Sequence, residues 1–148
     1  MPKTEVGAVD HSVEKTNQWL DQLARELGKP GDRTYAFRVL RAFLHTLRDR
    51  LPLEESAHLA AQLPELLRGV YYEGWRPSRT PLTYHDGATF LDLVADEALL
   101  AGETEAGYAV EAAARVLRRH VTPGELDDVR AVLPSPIAGY LADEGEQP

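Results

Sequence analysis

The chain has 148 residues, 43% hydrophobic and 27% charged, and a formal net charge of −8. Those proportions fit one folded domain with a core of its own and exclude a disordered polar chain. Cysteine is absent, which excludes disulfides, thiol catalysis and thiolate metal sites and suits a reducing compartment, read here as the cytoplasm.

Residues 1–10 read as an N-terminal tail without the apolar segment of a secretory signal. Apolar spacing at Val13, Leu20, Leu23, Ala24 and Leu27 predicts a first helix with Ser12 as N-cap and Gly28 as stop. A second helix is expected from Asp32 to Leu51, burying Ala36, Leu40, Phe43, Leu44, Leu47 and Leu51. Pro52 disfavours helical geometry at the residue before it, so the chain should turn there. A third helix carries Glu54 and Glu55 in its first turn, where the macrodipole favours them, then Ala57, Leu59, Ala60 and Leu63. Pro64 ends it and starts a fourth with Leu66, Leu67, Val70 and Tyr71.

Gly74 to Pro81 is rich in proline and turn formers and reads as a linker. Asp86 then caps a helix through Phe90, Leu91, Val94 and Leu99, which Gly102 breaks. Thr104 opens the next, with Ala106, Val110, Ala113, Leu117 and Val121 on one face. Thr122-Pro123-Gly124-Glu125 has the form of a capping box with proline at the first helical position. Pro134 and Pro136 bracket the start of a last helix, from Ser135 to about Leu141. No segment alternates with period two for long enough to make a strand, and the fold class is all-α.

The chain also matches itself at an offset of 70 residues. Leu63-Pro64 aligns with Leu133-Pro134, Leu67 with Ile137 and Gly69 with Gly139. Leu47-Arg48 aligns with Leu117-Arg118, Leu51 with Val121, Leu40 with Val110 and Ala36 with Ala106; Leu20 and Leu23 meet Phe90 and Leu93. The expected architecture is two tandem pseudo-symmetric four-helix repeats packed into one cooperative domain. The boundaries are a tail at 1–10, repeat 1 at 11–74, a linker at 75–85, repeat 2 at 86–142 and a polar tail at 143–148.

Several stretches together resemble a known family. They include Val13 to Leu20, Leu44-His45-Thr46-Leu47-Arg48-Asp49-Arg50-Leu51-Pro52, Ala57 to Pro64, Leu67 to Trp75, Val121 to Glu125 and Val129 to Pro134. From about residue 10 to 141 the chain is similar to the bacterial family called domain of unknown function 2267. That resemblance implies a bacterial, cytoplasmic helical protein and supplies no activity, cofactor or catalytic residue.

Three constellations are candidates for chemistry. Tyr71, Tyr72, Trp75 and Tyr84, with Arg76 and Arg79 interleaved, crowd the junction between the repeats, and Tyr, Trp and Arg dominate binding hot spots. They serve either as a plug in the seam or as a partner surface. Arg38, Arg41, His45 and Arg48 share one face of the second helix, opposite the leucines, and could hold a phosphate or an acidic peptide, or form a solvated face paired with carboxylates. Glu55 and His58 form a Glu-x-x-His pair of the kind used in di-metal bundles, but the second repeat has Asp128 where the second His belongs.

The remaining signals are negative. His11, His45, His58, His85 and His120 are dispersed, and neither a Gly-x-Ser-x-Gly elbow nor a Gly-rich phosphate loop is present. Residues 1–74 hold 10 basic and 11 acidic side chains, and residues 75–148 hold 6 and 13. An acidic second half disfavours nucleic acid and anionic membranes, and no apolar run approaches the roughly 20 residues that cross a bilayer. The reading is a noncatalytic, cofactor-free interaction or regulatory module with a protein partner or self-association. The alternatives are a metal protein or enzyme using Glu55 and His58, and nucleic-acid binding through Arg38, Arg41 and Arg48.

Overall fold

Helix α2 (Arg33–Arg50) is the centre of the molecule. Asp32 caps it by accepting from the Tyr35 amide at 3.0 Å, and Leu51, before Pro52, is extended and ends it. Ala36, Val39, Leu40, Phe43, Leu44 and Leu47 are fully buried, and His45, Arg48 and Arg50 are buried with them. A surface helix shows one apolar stripe, whereas α2 is covered on most sides, packing against α1 (Gly7–Glu26), α4 (Glu65–Tyr72), α5 (Gly87–Ala98) and α6 (Glu103–His120). The computed structural model describes residues 4–143, and among them every regular element is helical.

Helix α6 runs beside α2 and also packs on α1 and α5. Its alanines at 106, 109, 112, 113 and 114 are all buried, so small side chains let neighbouring helices approach. Two nine-residue helices, α3 (Leu53–Ala61) and α7 (Pro123–Ala131), pack against each other. The chain closes with α8 (Ser135–Ala138) and a 3-10 turn at Gly139–Leu141, so the last helix is shorter than the expected span to Leu141. Residues from both sequence halves join one hydrophobic cluster that includes Trp19, Phe43, Tyr71, Phe90, Leu117 and Ile137.

The local signals hold at several ends. Lys29 donates to the Ala24 carbonyl and Gly28 to that of Arg25, with Gly28 at φ +75°, a Schellman closure. Asp86 accepts from the Thr89 amide at 2.9 Å.

Four expectations need correction. Helix α1 begins at Gly7, so residues 7–10 are helical and not tail. Ser12 lies inside it, buried, and its hydroxyl accepts from the Leu66 amide at 2.8 Å. Ser12 therefore caps α4, whose own N-cap position is Pro64 with no side-chain acceptor. The α5 stop is not Gly102 but Leu99, left-handed at φ +59° and 76% exposed; Gly102 is the N-cap residue of α6, which starts at Glu103. In the tails, residues 1–3 and 144–148 lie outside the described residues.

Candidate functional site

The arginine face of α2 is only partly open to solvent. It turns toward α4 and α5, where helix ends leave carbonyls without intrahelical partners. Arg38 Nε donates to the Ala98 carbonyl, the last residue of α5, at 2.6 Å. Arg48 Nη1 donates to the carbonyls of Tyr71 and Glu73 at 2.7 and 2.8 Å, closing α4, while its Nε meets Asp49 at 2.8 Å. His45 Nε2 donates to the Val70 carbonyl at 2.6 Å, and its Nδ1 lies 2.8 Å from Glu97. Arg41 pairs with Glu73 and reaches Glu97 at 3.9 Å; the guanidinium holds the Glu73 carboxyl below its ordinary value. The same device ends α3, where Arg68 donates to the Ala60 and Leu63 carbonyls. Cations at helix C-termini also suit the macrodipole.

Arg38, His45 and Arg48 therefore act as C-terminal caps contributed from a neighbouring helix, and Arg41 is held by carboxylates. Arg48 is only 4% exposed and Arg38 is turned onto a carbonyl, so neither is a free guanidinium fork for the phosphate or acidic peptide that was one alternative for this face. The solvated-face alternative is right about carboxylate pairing for Arg41 and wrong about solvation for Arg48.

The aromatic group divides in two. Tyr71 is fully buried, and burial pushes its phenol up; it belongs to the core and not to any surface. Tyr72 stands edge-on to it at 5.4 Å and lies 5.2 Å from Trp75, and both Tyr72 and Trp75 are half-buried. Tyr84 sits instead under Arg50, whose guanidinium lies 5.7 Å from the ring and whose Nε donates to the Tyr84 carbonyl at 2.7 Å. Burial raises its phenol to about 12. Tyr84 thus fastens the linker to α2, as does the Leu82 amide on the Asp49 carbonyl at 2.8 Å. Arg76 and Arg79 are exposed on the short 3-10 turn region that follows Trp75.

A third arrangement enlarges the Glu55–His58 pair offered by the sequence with Glu125. Glu55 on α3 and Glu125 on α7 each occupy the third position of their helix, where a glutamate ordinarily reaches back to the N-cap amide. Glu55 has no such amide to reach, because its N-cap residue is Pro52. Thr122 does cap α7, accepting from the Glu125 amide at 3.3 Å, but its own amide is given to Gln62 Oε1 at 3.1 Å. The expected capping box is therefore half formed. The two carboxylates turn toward each other across the α3–α7 contact, and an Oε2 of each is buried without a hydrogen-bond partner. Glu125 is 9% exposed. Burial first, then Glu55 and the charge of Asp128, raise its carboxyl to about 8.

His58 completes the group. Its Nδ1 lies 3.9 Å from Glu55 Oε2, and among the described residues ligand atoms of Glu55, His58 and Glu125 all lie within 4.8 Å of one another. Glu55 and His58 were legible as a pair; Glu125 as their partner was not, although the 70-residue offset places it on Glu55.

Among the described residues no helix is long and apolar enough to cross a membrane. The model of the family of uncharacterized conserved proteins DUF2267 matches residues 16–140. No curated protein matches the chain.

Proposed function

This chain belongs to the DUF2267 family, and from that premise we propose that it is a noncatalytic interaction module docking a protein partner through the α4–α5 connection. One observation carries the reading. Arg76 and Arg79 stand exposed on that connection, and neither makes an ion pair or side-chain hydrogen bond among the described residues. The half-buried Tyr72–Trp75 pair precedes them and exposed Leu82 follows. Rigid aromatics beside unpaired guanidinium groups are what interface hot spots are made of, and arginine forks match carboxylates. The partner surface is therefore acidic, on another protein or on a second copy of this chain, whose net charge is −8.

The same reading takes the chain as two tandem repeats in one cooperative cytoplasmic bacterial protein. In its support, α2 and α6 span Arg33–Arg50 and Glu103–His120, and α3 and α7 span Leu53–Ala61 and Pro123–Ala131, each pair shifted by 70 residues. Against nucleic acid stand the engagement of Arg38, Arg41 and Arg48 within the fold and the acidic second half. The test is a photo-crosslinking residue at Ser78 in the native cell, with and without Arg76→Glu and Arg79→Glu together. Wild-type protein should capture one dominant partner or itself. The reversed variant should lose it with stability unchanged within about 0.5 kcal/mol. Equal capture by both proteins refutes the surface.

A further inference from the structure

We propose that Glu55, His58 and Glu125 form a zinc(II) site that joins α3 to α7. Three observations lead there, independently of the interaction surface. The first is geometry: one imidazole and two carboxylates converge from two helices that meet only through tertiary packing, with ligand atoms within 4.8 Å of one another. A tetrahedral zinc ion with bonds of about 2.0–2.1 Å needs its ligands roughly 3.4 Å apart. Binding would draw the ligand atoms together by up to roughly 1.4 Å from that 4.8 Å limit. His58, with a side chain 65% exposed, is free to move.

The second observation is the orphaned polar atoms. Glu55 Oε2 and Glu125 Oε2 are both buried with no hydrogen-bond donor within reach, and Glu125 is 9% exposed and aimed at the group. Both glutamates are denied their usual backbone partner, one by a proline and the other by Gln62. Two buried carboxylates side by side need a proton or a cation between them. A shared proton satisfies one lone pair and leaves a net charge. A divalent ion neutralises both groups and uses both free oxygens.

The third is the donor set. Imidazole nitrogen is a poor partner for magnesium and calcium, which take oxygen ligands, and a common one for zinc. Three protein ligands leave a fourth position for water, and Asp128, one turn beyond Glu125, adds negative charge on the same side. His58 is also what separates this group from an ordinary acidic patch. Because the ligands come from both halves of the sequence, the ion would hold α3 against α7 and stabilise the folded chain by binding it alone.

The experiment uses the full chain, stripped with EDTA and dialysed against zinc chloride. Elemental analysis should find one zinc per chain, and thermal unfolding should move upward with zinc concentration but not with magnesium. Glu125→Gln and His58→Ala should each weaken zinc binding by about tenfold or more and abolish the thermal shift. His58→Ala changes an exposed side chain and keeps the fold, so it decides the matter even where the Glu125 variant folds poorly. The proposal is overturned if zinc produces neither stoichiometric binding nor a thermal shift, which would leave a proton-sharing pair. It is equally overturned if both variants bind zinc as tightly as the parent chain, which would put the metal at other histidines.

Discussion

Replacing Arg48 with Met tests whether the arginine face is structural. The change keeps an unbranched apolar stem in the same slot and removes the guanidinium, which is all but enclosed, with 5% of the side chain exposed. Lost with it are donations to the carbonyls of Tyr71 and Glu73 and to Asp49, at 2.7, 2.8 and 2.8 Å. Hydrogen bonds involving a charged group contribute about 1.5–3 kcal/mol each, and a buried carbonyl left without a donor carries its own penalty. Two effects reduce the total. The Glu73 carbonyl lies at an exposed residue and can recruit water, and the variant no longer has to desolvate a cation. The expected net loss is about 2–4 kcal/mol. That is a large part of the roughly 5–15 kcal/mol that holds a typical domain together, and it corresponds to a fall in Tm of about 6–12 °C at this chain length. Urea unfolding followed by far-UV circular dichroism measures it directly. Arg41→Ala, which removes an exposed pair with Glu73, should cost less than about 1 kcal/mol in the same assay. If Arg48→Met changes stability by under about 0.5 kcal/mol, the guanidinium is not holding α4 and the cap assignment fails.

Leu99→Gly should raise stability by about 1 kcal/mol, since an exposed leucine at φ +59° occupies a conformation that glycine adopts without strain; an unchanged or lower urea midpoint would count against it. Ser12→Ala should cost about 1 kcal/mol and speed amide exchange at Leu66, whose amide it accepts, while the N-terminus of α1 exchanges as before. Glu26→Gln should destabilise by about 1 kcal/mol at neutral pH, because Arg119 and then Arg115 hold the Glu26 carboxyl below its ordinary 4.5. A depressed carboxyl contributes its stability above the unfolded value and loses it as pH falls through the folded one. The gap between Glu26→Gln and the parent chain should therefore be full above pH 4.5 and close below it; a gap that persists at lower pH would refute the pairing.

Some of this protein was determined residue by residue. Asp32, Asp86 and Thr122 cap the helices that follow them, Gly28 closes α1, and Leu51 turns before Pro52, because each depends on backbone groups no more than a few residues away. Apolar periodicity likewise marked the core residues of α2 and α6, since burial of a stripe is a property of one helix. What the tertiary structure decided is where polar side chains found partners. Ser12 has the same hydroxyl in either setting, yet it caps α4, because α4 packs against α1 and begins at a proline that offers no side-chain acceptor. Arg38 and Arg48 read as an outward face because helix periodicity sorts residues into apolar and polar without saying what lies opposite; the termini of α4 and α5 lie there and take up the guanidinium groups. Glu125 read as the closing residue of a capping box, and became half of a buried pair once Gln62 took the Thr122 amide and α3 brought up Glu55. Hydrogen-bond donors and acceptors are short-ranged and non-specific about sequence distance, so their pairing follows from packing, and packing follows from the apolar pattern that the chain does display.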